Sequence, residues 1–148
     1  MKLKWIEKDP IKALFLCPRY WHRSNNFKQV NDVYGHAEGD AALIRATNTL
    51  KKVMFDRRGF LARIGGDEFA IVLDNATDDE VSNIISNIKT QMRIENEQAQ
   101  SPYSITFAIG YACTYGKQKI DFKKFFSDAD HAMYAHKRSF KAKDTVNA

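Results

Sequence analysis

Cysteine, proline and long apolar runs are all scarce in this chain. Two cysteines, Cys17 and Cys113, are too few for a disulfide framework or a cysteine metal cluster. Each therefore reads as a small buried hydrophobe, and a reducing, cytoplasmic setting is expected. With only three prolines there is no linker-like stretch, and no repeat or low-complexity tract divides the sequence. No apolar run approaches the roughly 18 residues of a membrane span. Runs of the Ala13–Cys17 and Ala70–Leu73 kind are the longest. Lysines, Glu7, Asp9 and Pro10 interrupt the N-terminus, so it lacks a signal-peptide core. No block of about five like charges occurs, and the aromatic-basic pattern of a single-strand RNA-binding sheet is missing. A polynucleotide partner is not expected.

What is present is ordinary globular material. The 148 residues, 44% hydrophobic and 28% charged, suffice for one core, and residues 1–148 are read as a single domain. A net charge of +5 suits a phosphate-bearing partner without selecting among nucleotide, polynucleotide and plain solvated surface.

The elements alternate in type. Ile11–Cys17 is a buried strand by its apolar run. Asp40–Met54 carries Leu43, Ala46, Thr47, Leu50, Val53 and Met54 at helical spacing, with Asp40 placed as its cap. Phe60–Ile64 and Phe69–Leu73 flank Gly65-Gly66, a hairpin signal because tight turns need positive φ. Thr77-Asp78-Asp79-Glu80 is a capping box opening a helix with the stripe Val81, Ile84, Ile85, Ile88 and Met92. Tyr103, Ile105, Phe107, Ile109, Tyr111 and Cys113 alternate as a strand. Ser127 with Asp130 caps a last helix to about Arg138, with Ala129, Ala132, Met133 and His136 on its inner face. Strands mixed with helices of this length predict a single α/β or α+β layered fold.

Arg63-Ile64-Gly65-Gly66-Asp67-Glu68-Phe69 carries the motif that names the GGDEF domains, the diguanylate cyclases. It is joined by Phe27-Lys28-Gln29-Val30-Asn31-Asp32, Tyr34-Gly35-His36 and Gly39-Asp40. Downstream, Ile105–Gly110 resembles the family's "SIG" strand with Ala108 for serine, and Asp128–Lys137 resembles its "ADxALYxAK" helix. Order and spacing hold from Phe27 to Lys137, and on these residues the chain is identified as a member of that family.

The resemblance implies a central, mostly antiparallel sheet of about five strands flanked by helices, similar to nucleotidyl cyclase and polymerase palm domains. It implies joining of two GTP molecules into cyclic di-GMP across a homodimer, with Mg²⁺ as cofactor. Asp67 falls on the position that binds metal and helps activate the 3′-hydroxyl, and Glu68 completes the acidic pair. Gly65 and Gly66 leave no side chain over the turn, so a triphosphate can approach the backbone. Asn31 and Asp40 match the guanine-reading pair; an amide and a carboxylate suffice to reject adenine. Lys28 and Lys137 match substrate-binding lysines, and Lys141 stands where arginine is usual. Beside these roles stand plainer ones: a hairpin turn for the glycines, a helix cap for Asp40, solvated helix-end charges for Lys137 and Lys141. His36 reads as a turn or packing residue.

Three departures qualify the resemblance. The family's "DxDxFK" places its first metal aspartate on Arg23 and its second on Asn25; if an insertion shifts the register, Cys17 is the next candidate. Segment 17–25 is unlike the family and has no clear periodicity. A guanidinium facing a dication costs about 4 kcal/mol per charge pair at ~4 Å and an effective ε of ~20. Mg²⁺ is accordingly expected to be weakened or lost. The product-inhibition "RxxD" falls on Asp56 and Gly59, so that site is expected to be absent. The family's usual opening is missing, as is any sensory or transmitter domain, so the chain reads as a fragment of a longer protein. Two functions therefore stand side by side: an active cyclase domain, or a degenerate module that binds GTP or a partner domain and regulates without turnover.

Overall fold

A computed structural model describes residues 11–22, 30–114, 124, 127–128, 131–132 and 134–135. The elements run β1 (Ile11–His22), α1 (Val30–Tyr34), α2 (His36–Met54), β2 (Phe60–Gly65), β3 (Glu68–Asp74), α3 (Asp78–Gln98) and β4 (Tyr103–Thr114). The strands form one sheet in the order β2-β3-β1-β4, and β3 pairs antiparallel with both β1 and β2. This is the layered, antiparallel architecture expected from the sequence, with four strands among the described residues.

The register of β1 on β3 runs from Ile11 opposite Asp74 to Leu16 opposite Phe69. Period two then sends Ala13, Phe15 and Cys17 to one face and Leu14 and Leu16 to the other, and all five are buried. A strand covered on both faces must be apolar throughout, which is why Ala13–Cys17 reads as an unbroken run. The same holds on β3, where Phe69, Ile71 and Leu73 are buried on one face and Ala70 on the other. The register with β3 stops two residues before Pro18, which has no N–H to give.

The described residues fall into two compact units. The first draws on the described residues within 1–17, 58–81 and 108–148, the second on those within 18–57 and 82–107.

In the first unit, Ile11, Ala13, Phe15, Cys17, Ala70, Ala108 and Ala112 form one apolar cluster with Val72 packed against it. Lys12, on the opposite face of β1, is buried, and its Nζ donates to Asp78 Oδ1 at 2.7 Å. The Tyr111 hydroxyl donates to the same oxygen at 3.2 Å. These two donors, Lys12 first, hold the Asp78 carboxyl below its ordinary range, while burial chiefly pushes the Tyr111 phenol up. The expected capping box is formed: Thr77 N donates to Glu80 Oε2 at 2.6 Å, and Glu80 N to Thr77 Oγ1 at 3.1 Å.

In the second unit, α2 buries Ala42, Ala46, Thr49, Leu50 and Val53, and α3 buries Ile84, Ile88 and Met92. Lys52 Nζ reaches Glu95 Oε1 at 2.5 Å, and Arg45 Nη2 donates to Asn96 Oδ1 at 3.3 Å, tying the two helices together. Asn96 also spans to β4, accepting from Ile105 N at 2.8 Å and donating to Ile105 O at 2.7 Å. Among the described residues β4 is an edge strand, and this carboxamide satisfies backbone groups on it. Tyr103 is fully buried; its hydroxyl donates to Glu38 Oε1 at 2.5 Å, and its ring meets Tyr20, Tyr34 and the Arg45 guanidinium.

Four expectations are corrected. β1 continues to His22, five residues past the expected end. α2 begins at His36 with Gly35 as N-cap at φ 86°, so Asp40 lies inside the helix and is not its cap. The positive φ of Gly35 lets the chain leave α1 and re-enter helix within one residue. The alternation of β4 changes phase: Tyr103, Ile105 and Phe107 are buried, then Ala108 and Ala112, leaving Tyr111 38% exposed. The small even-numbered residues join the apolar cluster of the first unit, and this decides the phase. Ser127 is itself helical, as is Lys124, so Ser127 does not precede its helix; Ala129, Asp130, Met133, His136 and Arg138 lie outside the described residues.

Glu80 is held below its ordinary value of 4.5, first by the Thr77 backbone N–H and then by the Thr77 hydroxyl. A depressed carboxyl contributes stability above its unfolded value and loses it as pH falls through the folded one. Thr77→Ala should lower unfolding free energy by about 1 kcal/mol at neutral pH in urea titration. The gap between the unaltered protein and Glu80→Gln should shrink on acidification below pH 4.5.

Candidate functional site

The expected hairpin joins β2 to β3, but its geometry differs in detail. Gly65 is the last residue of β2 and pairs with Glu68, so the turn residues are Gly66 and Asp67. Gly66 alone of the two glycines has positive φ, 36°. Arg63 Nε closes the turn by donating to the Gly66 carbonyl at 2.8 Å, beside a register shift between Arg63 and Gly65. At Gly65 a Cβ would meet nothing within 4 Å. Neither backbone conformation nor packing within the described structure therefore demands glycine at 65.

Asp67 is exposed at the tip and Glu68 opens β3. Pairing of Leu16 with Phe69 brings Cys17, the next residue of β1, to this end of the hairpin. Its thiol donates to Asp67 Oδ2 across 3.5 Å. Cys17, the candidate for a shifted register, thus stands beside Asp67; Arg23 and Asn25 lie outside the described residues.

This donor set suits Mg²⁺ poorly. The ion takes hard oxygen ligands, commonly one or two carboxylates with substrate phosphates, while a thiol is a soft donor. Among the described residues no group of three or more His, Cys, Asp or Glu is placed to hold a metal ion.

Asn31 and Asp40 belong to the other unit, on α1 and α2, and both are exposed. The backbone links α1 to the start of α2. Asn31 O accepts from Gly35 N at 3.0 Å, closing α1, and Gly35 O accepts from Gly39 N at 3.2 Å, opening α2. The Asn31 carboxamide then lies over Gly39, with Oδ1 only 1.5 Å from where a Cβ at 39 would stand. Glycine at 39 leaves room for the Asn31 carboxamide in this position. His36 is the exposed first residue of α2. Lys28, Lys137 and Lys141 lie outside the described residues.

Two relations escaped the sequence reading. Gly39 was visible only as a motif letter, and nothing local signals that Asn31 needs its space. The link from Tyr103 to Glu38 spans 65 positions, and its only trace is an aromatic in a strand pattern. Gly59 has φ 113°, and a Cβ there would lie 2.3 Å from the Val72 carbonyl oxygen. An aspartate at 59 is incompatible with this backbone.

The family profile described as diguanylate cyclase, GGDEF domain, matches residues 22–143. The signaling protein YkoW of Bacillus subtilis (strain 168) is 37% identical over 125 residues, which are 80% of this chain and 15% of YkoW. Diguanylate cyclase DgcN of Escherichia coli (strain K12) is 36% identical over 115 residues, 76% of this chain and 28% of DgcN. The crystal structure of the GGDEF domain of DgcB from Caulobacter crescentus, in complex with c-di-GMP, superposes with a TM-score of 0.70. It is 25% identical, over 88% of this chain and 73% of that one. The chain belongs to the GGDEF family. It spans only a small part of the length of the curated relatives it matches. No described helix is long and apolar enough to cross a membrane.

Gly39→Ala separates site geometry from fold. Alanine in a helix is favoured over glycine by about 0.5–1 kcal/mol, so melting temperature should hold or rise. The Asn31 carboxamide must move, and its side-chain amide signals in an NMR spectrum should shift.

Proposed function

We propose that this chain binds GTP as a domain of diguanylate-cyclase type, with two GTP molecules condensed into cyclic di-GMP across a homodimer. The observation that carries this reading is the extent of the family match, residues 22–143, which includes every segment quoted for substrate handling. The names of DgcN and of the DgcB complex point to the same nucleotide chemistry. In each half-reaction a 3′-hydroxyl oxygen bonds to the α-phosphorus of the other GTP, pyrophosphate leaves, and the hydroxyl proton is given up. Two such steps close the ring.

The roles assigned to the chain's own residues follow from their chemistry. Asn31 offers a donor and an acceptor, and Asp40 accepts from guanine N1–H and N2–H; adenine has no matching pattern. Gly65, not required by the fold, leaves backbone open to phosphate. Asp67, exposed at the turn, is the acceptor for the 3′-hydroxyl proton, with Glu68 beside it. Lys28, Lys137 and Lys141 supply positive charge to the phosphates. Cyclases of this family generally depend on a metal, but the thiol beside Asp67 is no ligand for Mg²⁺, so no step here is routed through one.

That thiol favours a second reading, in which the domain binds GTP or a partner and regulates without turnover. Incubation with GTP and Mg²⁺ at high protein concentration, with chromatography for cyclic di-GMP, decides between the two. Product establishes the cyclase; measurable GTP binding without product establishes the regulator.

Two variants test the placement. Gly65→Ala should leave the unfolding curve in place and weaken GTP binding by about tenfold or more, since only a ligand senses the added methyl. Asp40→Ala should remove the preference for GTP over ATP. An unchanged GTP/ATP ratio would mean that Asp40 does not read the base.

A further inference from the structure

We infer that Cys17 is the specificity-determining residue of the acidic turn: its thiol, set against Asp67, makes nucleotide binding by this chain independent of Mg²⁺. The nucleotide half of this inference rests on the GTP reading above; the cation half stands on the Cys17–Asp67 geometry alone.

The placement of the thiol is not adjustable. Cys17 continues a strand registered pair by pair against β3, and it is 3% exposed within the apolar cluster of Ile11, Ala13, Phe15, Ala70, Ala108 and Ala112. The neighbour this strand offers to Asp67 is therefore a sulfur, at 3.5 Å, and the carboxylate accepts a hydrogen bond from its S–H. A carboxylate at 17 would meet Asp67 as a second hard donor, and the two charges would repel each other and any phosphate until a dication came between them. A neutral thiol does the reverse. It adds no negative charge, and it occupies an Asp67 lone pair that a cation would use. The same change thus removes both the ligand for Mg²⁺ and the electrostatic need for it.

Two measurements test this. Equilibrium binding of GTP to the unaltered protein, in EDTA and in excess Mg²⁺, should give dissociation constants within about twofold of each other. Tightening by Mg²⁺ of about tenfold or more overturns the inference. Without nucleotide, Mn²⁺ titration followed by electron paramagnetic resonance reports the cation site directly. Cys17→Asp, its fold checked by circular dichroism, should bind Mn²⁺ at least about tenfold more tightly than the unaltered protein, and Cys17→Ser should not. A folded Cys17→Asp without that gain overturns the inference. If the aspartate is not tolerated in the apolar cluster, Asp67→Asn decides instead: Mn²⁺ binding by the unaltered protein that this variant abolishes overturns the inference, and unchanged Mn²⁺ behaviour supports it. Failure of GTP to bind under either condition counts against the nucleotide reading, and the Mn²⁺ titrations then decide the role of Cys17 alone.

Discussion

Antiparallel pairing of β1 with β3 is the constraint from which the acidic turn takes its chemistry. Six consecutive pairs, Ile11–Asp74 to Leu16–Phe69, set which residue of β1 arrives at the hairpin. A slip of one residue would exchange the two faces of the strand, carrying Lys12 into the apolar cluster and Phe15 out of it. The burial of Ala13, Leu14, Phe15 and Leu16 on both faces makes such a slip costly, so the position of Cys17 is inherited from the core. The site does not choose its thiol independently; the packing delivers it.

A second fixed point governs the helices that carry Asn31 and Asp40. Tyr103 places its phenol among Tyr20, Tyr34, Glu38 and Arg45, joining β4 to α1 and the first turn of α2. Burial chiefly, and then the hydrogen bond to Glu38, raises the phenol's pKa, so the proton stays on Tyr103 and the bond keeps its direction. Glu38 immediately precedes Gly39, so the contact that docks α2 also fixes the backbone over which the Asn31 carboxamide lies. Packing, capping and the seat of the Asn31 carboxamide here share one stretch of about one helical turn.

How much of this was legible beforehand depended on the range of the forces involved. Thr77 and Glu80 could be paired on sight because their reciprocal bonds close within four residues. The stripe of α3 and the arms of the hairpin follow from period and from glycine, which are equally local. The limits of β1 and α2 and the phase of β4 differ from what local pattern predicts. His22 is in strand although nothing near it alternates, α2 starts at His36 because of the backbone angle at its N-cap Gly35, and Tyr111 is exposed because alanines at 108 and 112 claim the cluster instead.

By itself the sequence determined the class of fold, the hairpin and the family of this chain, because apolar period, glycine content and motif spacing are properties of neighbouring residues. Only the tertiary structure decided which side chain stands beside Asp67. Fifty positions separate Cys17 from its carboxylate, and no local rule spans that distance. The pairing exists because two apolar strands bury each other in one register, and the 3.5 Å contact at their end is its consequence.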